Sequence, residues 1–334
     1  MDDRTLKYKI IAAFAAVYFF WGSTFIAIRF AVESIPPFLM ASSRFLVAGA
    51  ILYLFARFKG ATVPALKQWL PAFAMGALLL VFGNGSVVIA EKTVPSGVVS
   101  LLIAMVPIYF AILEWIKPGG KAPNFKTSIG LIIGTIGLLL LIGPHKIMSG
   151  SSDIDLKGVF IVLGGSLAWS IGSLLSKTTR ISENPTMGLA MQTLAAGIMM
   201  FVLSCGFGEI ASMQFTAVSV KSLVSLLYLI VFGSLVGFTS YVWLLQTVSP
   251  TLVATYAYVN PVIAVLLGWL LAGEKVTADT MLAGSVILVA VWLITQSKRA
   301  VVSSEKIQLT EEVSNISQGD QILEPNDSKI VATK

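Results

Sequence analysis

Apolar residues fill this chain in long runs, each closed by a short polar, basic or Pro/Gly-containing break. A hydrocarbon core about 30 Å thick takes about 20 helical residues to cross. Measured against that length, the runs predict ten helices, over residues 10–30, 36–57, 70–91, 95–115, 126–143, 157–177, 186–206, 222–246, 250–272 and 278–297. The breaks are sharp, as at Ile35-Pro36-Pro37, Lys117-Pro118-Gly119-Gly120 and Ser249-Pro250. The first run lacks an A-x-A cleavage site and is followed by many like it, so it reads as a helix, not a signal peptide. Residues 298–334 are rich in Ser, Asn, Gln, Asp and Glu without apolar periodicity, and read as a disordered, solvated tail.

Composition agrees with the pattern. The 334 residues are 56% hydrophobic and 12% charged, with a mean hydropathy of +0.86. Soluble domains carry about 25% charged residues, so too little polar material remains for a water-facing surface. That excludes a water-soluble enzyme, a nucleic-acid binder and a disordered scaffold; the expected fold class is an all-α membrane protein with the lipid bilayer as its partner. The net charge of +6 sits mostly beside the apolar runs, where it acts as a topology signal. An even number of spans puts both termini on one side. Fourteen Lys and Arg residues fall on that side, among them Arg4, Arg57, Lys117 and Arg180, against Lys92, Lys146, Lys157, Lys221 and Lys275 on the other. Both termini are therefore expected in the cytoplasm, with the protein in the inner or plasma membrane. One cysteine, Cys205, precludes an internal disulfide, and one histidine, His145, leaves no His cluster for a metal. No cofactor is expected.

The chain also repeats itself. At an offset of 148, Trp21 meets Trp169, Arg29 meets Lys177, Pro37 meets Pro185, Leu46 meets Leu194 and Gly49 meets Gly197. At an offset of 154, Thr93-Val94 meets Thr247-Val248, Pro107 meets Pro261 and Trp115 meets Trp269; Gly134 then meets Gly284 at 150. The units are residues 1–146 and 147–297, followed by the tail at 298–334. Five spans per unit deliver the chain to the opposite face, so the second unit is expected upside down. Inverted repeats are a common build of secondary transporters, with the binding site near the midplane between them.

Several stretches carry a resemblance. Trp21-Gly22-Ser23-Thr24 leading to Arg29, Pro36-Pro37, Ser43-Arg44-Phe45, Gly83-Asn84-Gly85 and Val94-Pro95-Ser96-Gly97 are joined by Val106-Pro107. Thr255-Tyr256-Ala257-Tyr258-Val259-Asn260-Pro261 and Gly273-Glu274 follow. Together, over about residues 10–297, they resemble EamA-type members of the drug/metabolite transporter superfamily, in the YedA-like branch of bacterial inner-membrane permeases. The resemblance implies a ten-helix carrier with both termini inside, exporting small metabolites, amino acids or toxic compounds. It also implies a central cavity lined by helices 1, 3, 4, 6, 8 and 9. One departure stands out: many members carry Gly-Glu after both helix 4 and helix 9, whereas the first copy here is Gly119-Gly120.

Candidate functional residues follow from position and chemistry. Pro107 and Pro261 fall near the middle of spans, where proline removes a backbone bond and kinks the helix; as matched residues they are candidate hinges. Arg44 lies about eight residues into helix 2, where a charge is costly. It faces either a protein-lined path, attracting a carboxylate, or the outer headgroups by snorkelling. Arg29 and Lys177 sit near helix ends and suit snorkelling. Asn84, Ser86, Ser100, Thr255 and Asn260 offer hydrogen bonds, and Trp21, Trp169, Tyr109, Tyr241, Trp243, Tyr256 and Tyr258 offer apolar walls with polar edges. That mixture suits an amphipathic organic solute. Asn260 beside Pro261 is the preferred contact. Each of these residues has a plainer role open to it, as interhelical glue or interfacial anchor.

A proton as coupling ion needs an ionisable group in the path; Glu91 and Glu114 are the candidates, and both fall at helix ends, as surface groups or partners of nearby bases. Gly130 and Gly134 form a G-x-x-x-G on helix 5 that supports packing within the protomer or a weak homodimer as the alternative to a monomer. The leading reading is a secondary permease exporting amino acids or related small metabolites and drugs by alternating access. A nucleotide-sugar or sugar-phosphate exchanger is the alternative, and needs more cavity cations than Arg44. An intramembrane enzyme is the remote one, for no H-E-x-x-H, G-x-S-x-G or paired-Asp motif occurs.

Overall fold

The computed structural model describes residues 3–120, 122–142, 155–176, 178–248, 253, 255–294 and 296. The tail, His145, Lys146, Lys177, Ser249 and Pro250 therefore lie outside the described residues. Among the described residues every regular element is helical. Seven helices are long and apolar enough to cross a membrane: α1 (Arg4–Ala31), α2 (Pro37–Phe58), α3 (Leu66–Ala90), α4 (Ser96–Ile116), α6 (Leu156–Leu175), α7 (Pro185–Gly206) and α8 (Val220–Thr247). Three shorter apolar helices complete the order: α5 (Phe125–Ile142), α9 (Tyr256–Ala272) and α10 (Ala278–Ile294). Most helix edges fall within four residues of those expected, because Pro and paired polar residues end the runs; α1 instead starts six residues early, at Arg4, and α9 is described as a helix only from Tyr256. Pro37 and Pro185 each take the first turn of a helix, where a missing N–H is harmless. Asn184 caps α7 by accepting from the Met187 N–H at 3.0 Å. Asp155 caps α6, and the Thr93 hydroxyl at 2.7 Å holds its carboxyl below the usual range.

Glycines set the closest helix crossings. A Cβ on Gly49 of α2 would lie 2.8 Å from Leu194 Cγ and 2.9 Å from the Leu194 nitrogen in α7. A Cβ on Gly197 of α7 would lie 2.8 Å from both Leu46 Cγ and the Leu46 nitrogen. These are matched residues meeting each other's partners. Moving up α2 from Leu46 to Gly49 moves down α7 from Gly197 to Leu194, so the two helices run antiparallel at the crossing. The same reciprocity recurs between Gly83 and Trp169 and between Gly237 and Trp21, with Cβ approaches of 2.9 and 2.6 Å. On α5, Gly130 packs against Ala290 and Ile294, and Gly134 against Ile108 and Ala290, so this G-x-x-x-G serves packing within the protomer.

Three π-helical stretches interrupt the long spans: Val17–Trp21 in α1, Ala77–Asn84 in α3 and Leu229–Phe238 in α8. The second and third end on residues 154 apart, at matching depth in the two halves. Each π turn rotates the following helix face, and such turns are frequent at functional sites. The two matched prolines differ. Helix α4 breaks at Ala104–Met105, with Pro107 in the first turn after the break, whereas Pro261 sits inside the continuous α9.

Candidate functional site

The π stretches converge on the middle of the bundle. There Trp21, Thr24, Phe25 and Ile28 of α1 meet Gly83, Asn84 and Val87 of α3, Ile103 and Val106 of α4, Trp169 of α6, and Tyr256 and Asn260 of α9 around a cavity of about 70 Å³. Five of the expected site residues, Trp21, Asn84, Trp169, Tyr256 and Asn260, thus share one wall-to-wall space. Liquid water occupies about 30 Å³ per molecule, and ligand pockets run from about 300 Å³ upward. At about 70 Å³ the cavity is smaller than such a pocket.

Beyond it, at the end of the bundle carrying the 176–185 connection, lies a vestibule of about 610 Å³. Met75 and Leu79, Arg180 and Glu183, Gln192, Tyr241 and Gln246 are among its walls. Tyr241 separates the two spaces. Its ring lies 4.7 Å from Trp21, 5.6 Å from Trp169 and 5.9 Å from Tyr256, and its hydroxyl shares a 3.2 Å hydrogen bond with Ser173. Trp21 also contacts Trp169 and Tyr256, and its indole N–H donates to the Gly233 carbonyl at 3.2 Å. The indole fits because residue 237 is glycine. The four rings form a plug.

Arg44 is buried and does not reach the headgroups: its Nε donates to Ser234 Oγ at 2.8 Å and its Nη1 to Asn84 Oδ1 at 3.5 Å. The cation stands behind Asn84 and is connected to the cavity through it. The Asn260 amide nitrogen, set toward the carbonyls of Tyr18 and Tyr256 at 3.1 and 3.3 Å, ties α9 to the π turn of α1. Tyr109 lies outside the cavity, packed beside Met105, Ile108, Ala111 and Ile294. Pro261 borders an apolar groove between α4, α9 and α10 instead of the cavity. The side chain of Tyr258 lies outside the described residues.

The opposite end is latched. Arg29 does not snorkel there: its Nε pairs with Glu274 Oε1 at 3.4 Å, and its Nη1 donates to the carbonyls of Glu91 and Val94. Glu274 accepts the N–H groups of Ser96 and Gly97 at 2.9 and 3.2 Å, the start of α4. Glu209 does the same at α2, accepting from Phe38 and Leu39 at 3.2 and 2.8 Å. Two carboxylates from the second half thus hold the positive ends of two first-half helices. Gly120, at the position matching Glu274, carries no carboxylate to build such a clamp at the vestibule end. Glu91 departs from its expected place on the surface: it is 1% exposed, and neither carboxylate oxygen has a hydrogen-bond partner among the described residues. Gln192, which the repeat sets opposite Arg44 at the offset of 148, was not among the residues expected at the site. It is buried on the vestibule wall, and its amide nitrogen has no hydrogen-bond partner among the described residues.

The model of the EamA-like transporter family matches this chain twice, over residues 8–143 and 156–296. The chain belongs to the EamA-like transporter family. It is a multi-pass membrane transporter. Among its relatives, an Escherichia coli protein described as the uncharacterized inner membrane transporter YedA is 37% identical over 291 residues, covering 86% of this chain and 91% of that one. The uncharacterized transporter YoaV of Bacillus subtilis is 26% identical, covering 88% and 99%. A crystal structure sharing 16% identity superposes with a TM-score of 0.61 over 88% of this EamA-like chain and 99% of the other, which shows a common fold. The described cavity walls come from α1, α3, α4, α6 and α9 of the helices expected for the superfamily, and α8 contributes Tyr241 at the plug.

Proposed function

We propose that this transporter exports amino acids or related small metabolites and drugs by alternating access between two inverted five-helix repeats, with both termini in the cytoplasm. The observation that carries the reading is the asymmetry between the two ends. One presents a vestibule stopped by the Trp21–Trp169–Tyr241–Tyr256 plug, and the other is closed by the Arg29–Glu274 latch. In this reading the vestibule faces the cytoplasm, as the basic residues of the 176–180 region and of the termini favour. Solute enters from there, the plug yields, and the latch opens to release it outside. The antiparallel, reciprocal crossing of α2 and α7 supports inversion, since a two-fold axis in the membrane plane makes each repeat contact the other's equivalent surface. The double family match supports the repeat, and YedA's name supports the inner membrane.

The described cavity lining is aromatic and aliphatic with two amides and no charged side chain, and Arg44 stands one residue behind Asn84. That suits a solute with an apolar body and one carboxylate. It disfavours the sugar-phosphate alternative, for which a dianionic group needs several cations. The test is flux of labelled amino acids and cationic drugs through proteoliposomes containing the full chain, with and without a pH gradient. Saturable flux of a carboxylate-bearing solute, lost in Asn84→Ala with folding retained, is expected. Equal flux in empty vesicles, or full activity of Asn84→Ala, contradicts the site.

A further inference from the structure

A buried acid with no hydrogen-bond partner among the described residues stands beside the latch. Glu91 directly follows α3, at the end of the bundle where Glu274 holds the start of α4. Its main-chain carbonyl accepts from Arg29 Nη1 at 3.1 Å, while the same guanidinium pairs through Nε with Glu274. Two charged groups act on its carboxyl: Glu274, from the connection after α9, and Arg29, from α1. Lys92, next in the chain, is exposed, and Thr93 turns away to Asp155. A carboxylate anion without a donor in a dry site is strongly disfavoured, whereas the neutral acid is tolerated. Burial first, and the like charge of Glu274 second, push the Glu91 carboxyl well above the usual carboxylate range, against the pull of Arg29.

We propose that Glu91 is a proton-binding site of the latch, protonated as this end closes and deprotonated as it opens. The inference deepens the alternating-access reading and rests on it. With Glu91 neutral, Glu274 has no rival carboxylate for Arg29, which still donates to the Glu91 and Val94 carbonyls, and Glu274 keeps its grip on the Ser96 and Gly97 N–H groups. When Glu91 gives its proton to water, the new anion competes for Arg29 and repels Glu274, and both effects free the start of α4. The exchange is one proton between solvent and one carboxylate. Closing binds a proton, so lower pH favours the closed latch. The closed-to-open ratio falls by up to about tenfold per pH unit as pH rises from the open-state pKa toward the raised closed-state one.

The test uses the full chain in lipid nanodiscs with Cys205→Ser and spin labels at Lys157→Cys and Lys275→Cys. Both lysines are exposed, and Lys157 lies beside Asp155, which the Thr93 bond ties to the α3–α4 turn. Distance distributions and the infrared carbonyl band of a dehydrated carboxylic acid are followed against pH. The expected result is a widening whose midpoint lies well above the ordinary carboxylate range, coincident with loss of the acid band. In Glu91→Gln the distance stays short at every pH and the band is absent. Widening that persists in Glu91→Gln, or a wild-type protein without the acid band, overturns the proposal. Should Glu91→Gln not fold, the wild-type midpoints decide: widening and band loss at different pH also overturn it. A latch silent to pH in a protein whose flux still depends on Asn84 rejects the proton site alone, whereas flux independent of Asn84 rejects the transport site.

Discussion

Gly49 and Gly197 occupy matching places in the two halves, and replacing each by alanine perturbs one crossing from its two sides. The new methyl carbon on Gly49 would fall 2.8 Å from Leu194 Cγ and 2.9 Å from the Leu194 nitrogen; on Gly197 it would fall 2.8 Å from Leu46 Cγ and from the Leu46 nitrogen. A leucine rotamer change relieves the first kind of contact but not the second, which is backbone. The helices must part by several tenths of an ångström, and overpacking of this kind costs about 1–3 kcal/mol. Because the two environments are near copies related by a two-fold rotation, the two costs should agree to within about 0.5 kcal/mol. The double variant should cost less than their sum, since a crossing already spread by one methyl has room for the other. Leu194→Ala should restore little to Gly49→Ala. Reversible unfolding in detergent measures all of these. A large cost at one glycine with none at the other, or strict additivity, refutes the shared, symmetric crossing.

Other outcomes follow from the site. Glu274→Gln keeps one acceptor for α4 but loses the ion pair and a charge-assisted bond, worth about 1.5–3 kcal/mol, so the latched end should open roughly ten- to hundredfold more often; thiol labelling near Ser96 in a Cys205→Ser protein reads this. Tyr241→Ala removes three aromatic contacts at about 0.5–1.5 kcal/mol each and should join vestibule to cavity, seen as raised labelling of a Thr24→Cys reporter from the vestibule side. Unchanged labelling contradicts the plug. Arg44→Met should raise KM for carboxylate solutes at least tenfold while leaving neutral or cationic solutes nearly unaffected, as measured in proteoliposomes; equal loss for every solute assigns Arg44 to folding alone.

The helices were legible because span length and Pro/Gly punctuation are local properties. The ends of α2, α4 and α7 fall where Pro37, Pro95 and Pro185 put them. Trp21 and Trp169 stood out in the sequence as repeat-matched aromatics, whereas Asn84, Tyr256 and Asn260, which join them around the cavity, were marked only by their polar chemistry within apolar spans. What escaped depends on contacts between distant parts of the chain. Glu274 meets Ser96 across 178 positions, and no spacing rule links them. Glu91 and Arg29 looked like interfacial charges because their burial comes from other helices' ends. The π turns escaped as well: Leu229–Phe238 has the composition of any apolar helix, and the Trp21 indole that lodges against Gly233 and Gly237 comes from more than 200 positions away. Tyr109 looked equivalent to the cavity aromatics, but it packs beside Met105, Ile108, Ala111 and Ile294, a contact with α10 that no local spacing reveals.

The central claim is that the two ends of the bundle open in turn. Two spin-label pairs in the Cys205→Ser chain address it: Lys157 with Lys275 at the latched end, and Thr178 with Gln246 at the vestibule. The account predicts a short latched distance and a long vestibule distance in the unmodified protein, both reversed together in the Glu274→Gln population that has opened. Vestibule distances that stay long when the latch widens, or that widen with it, contradict alternating access.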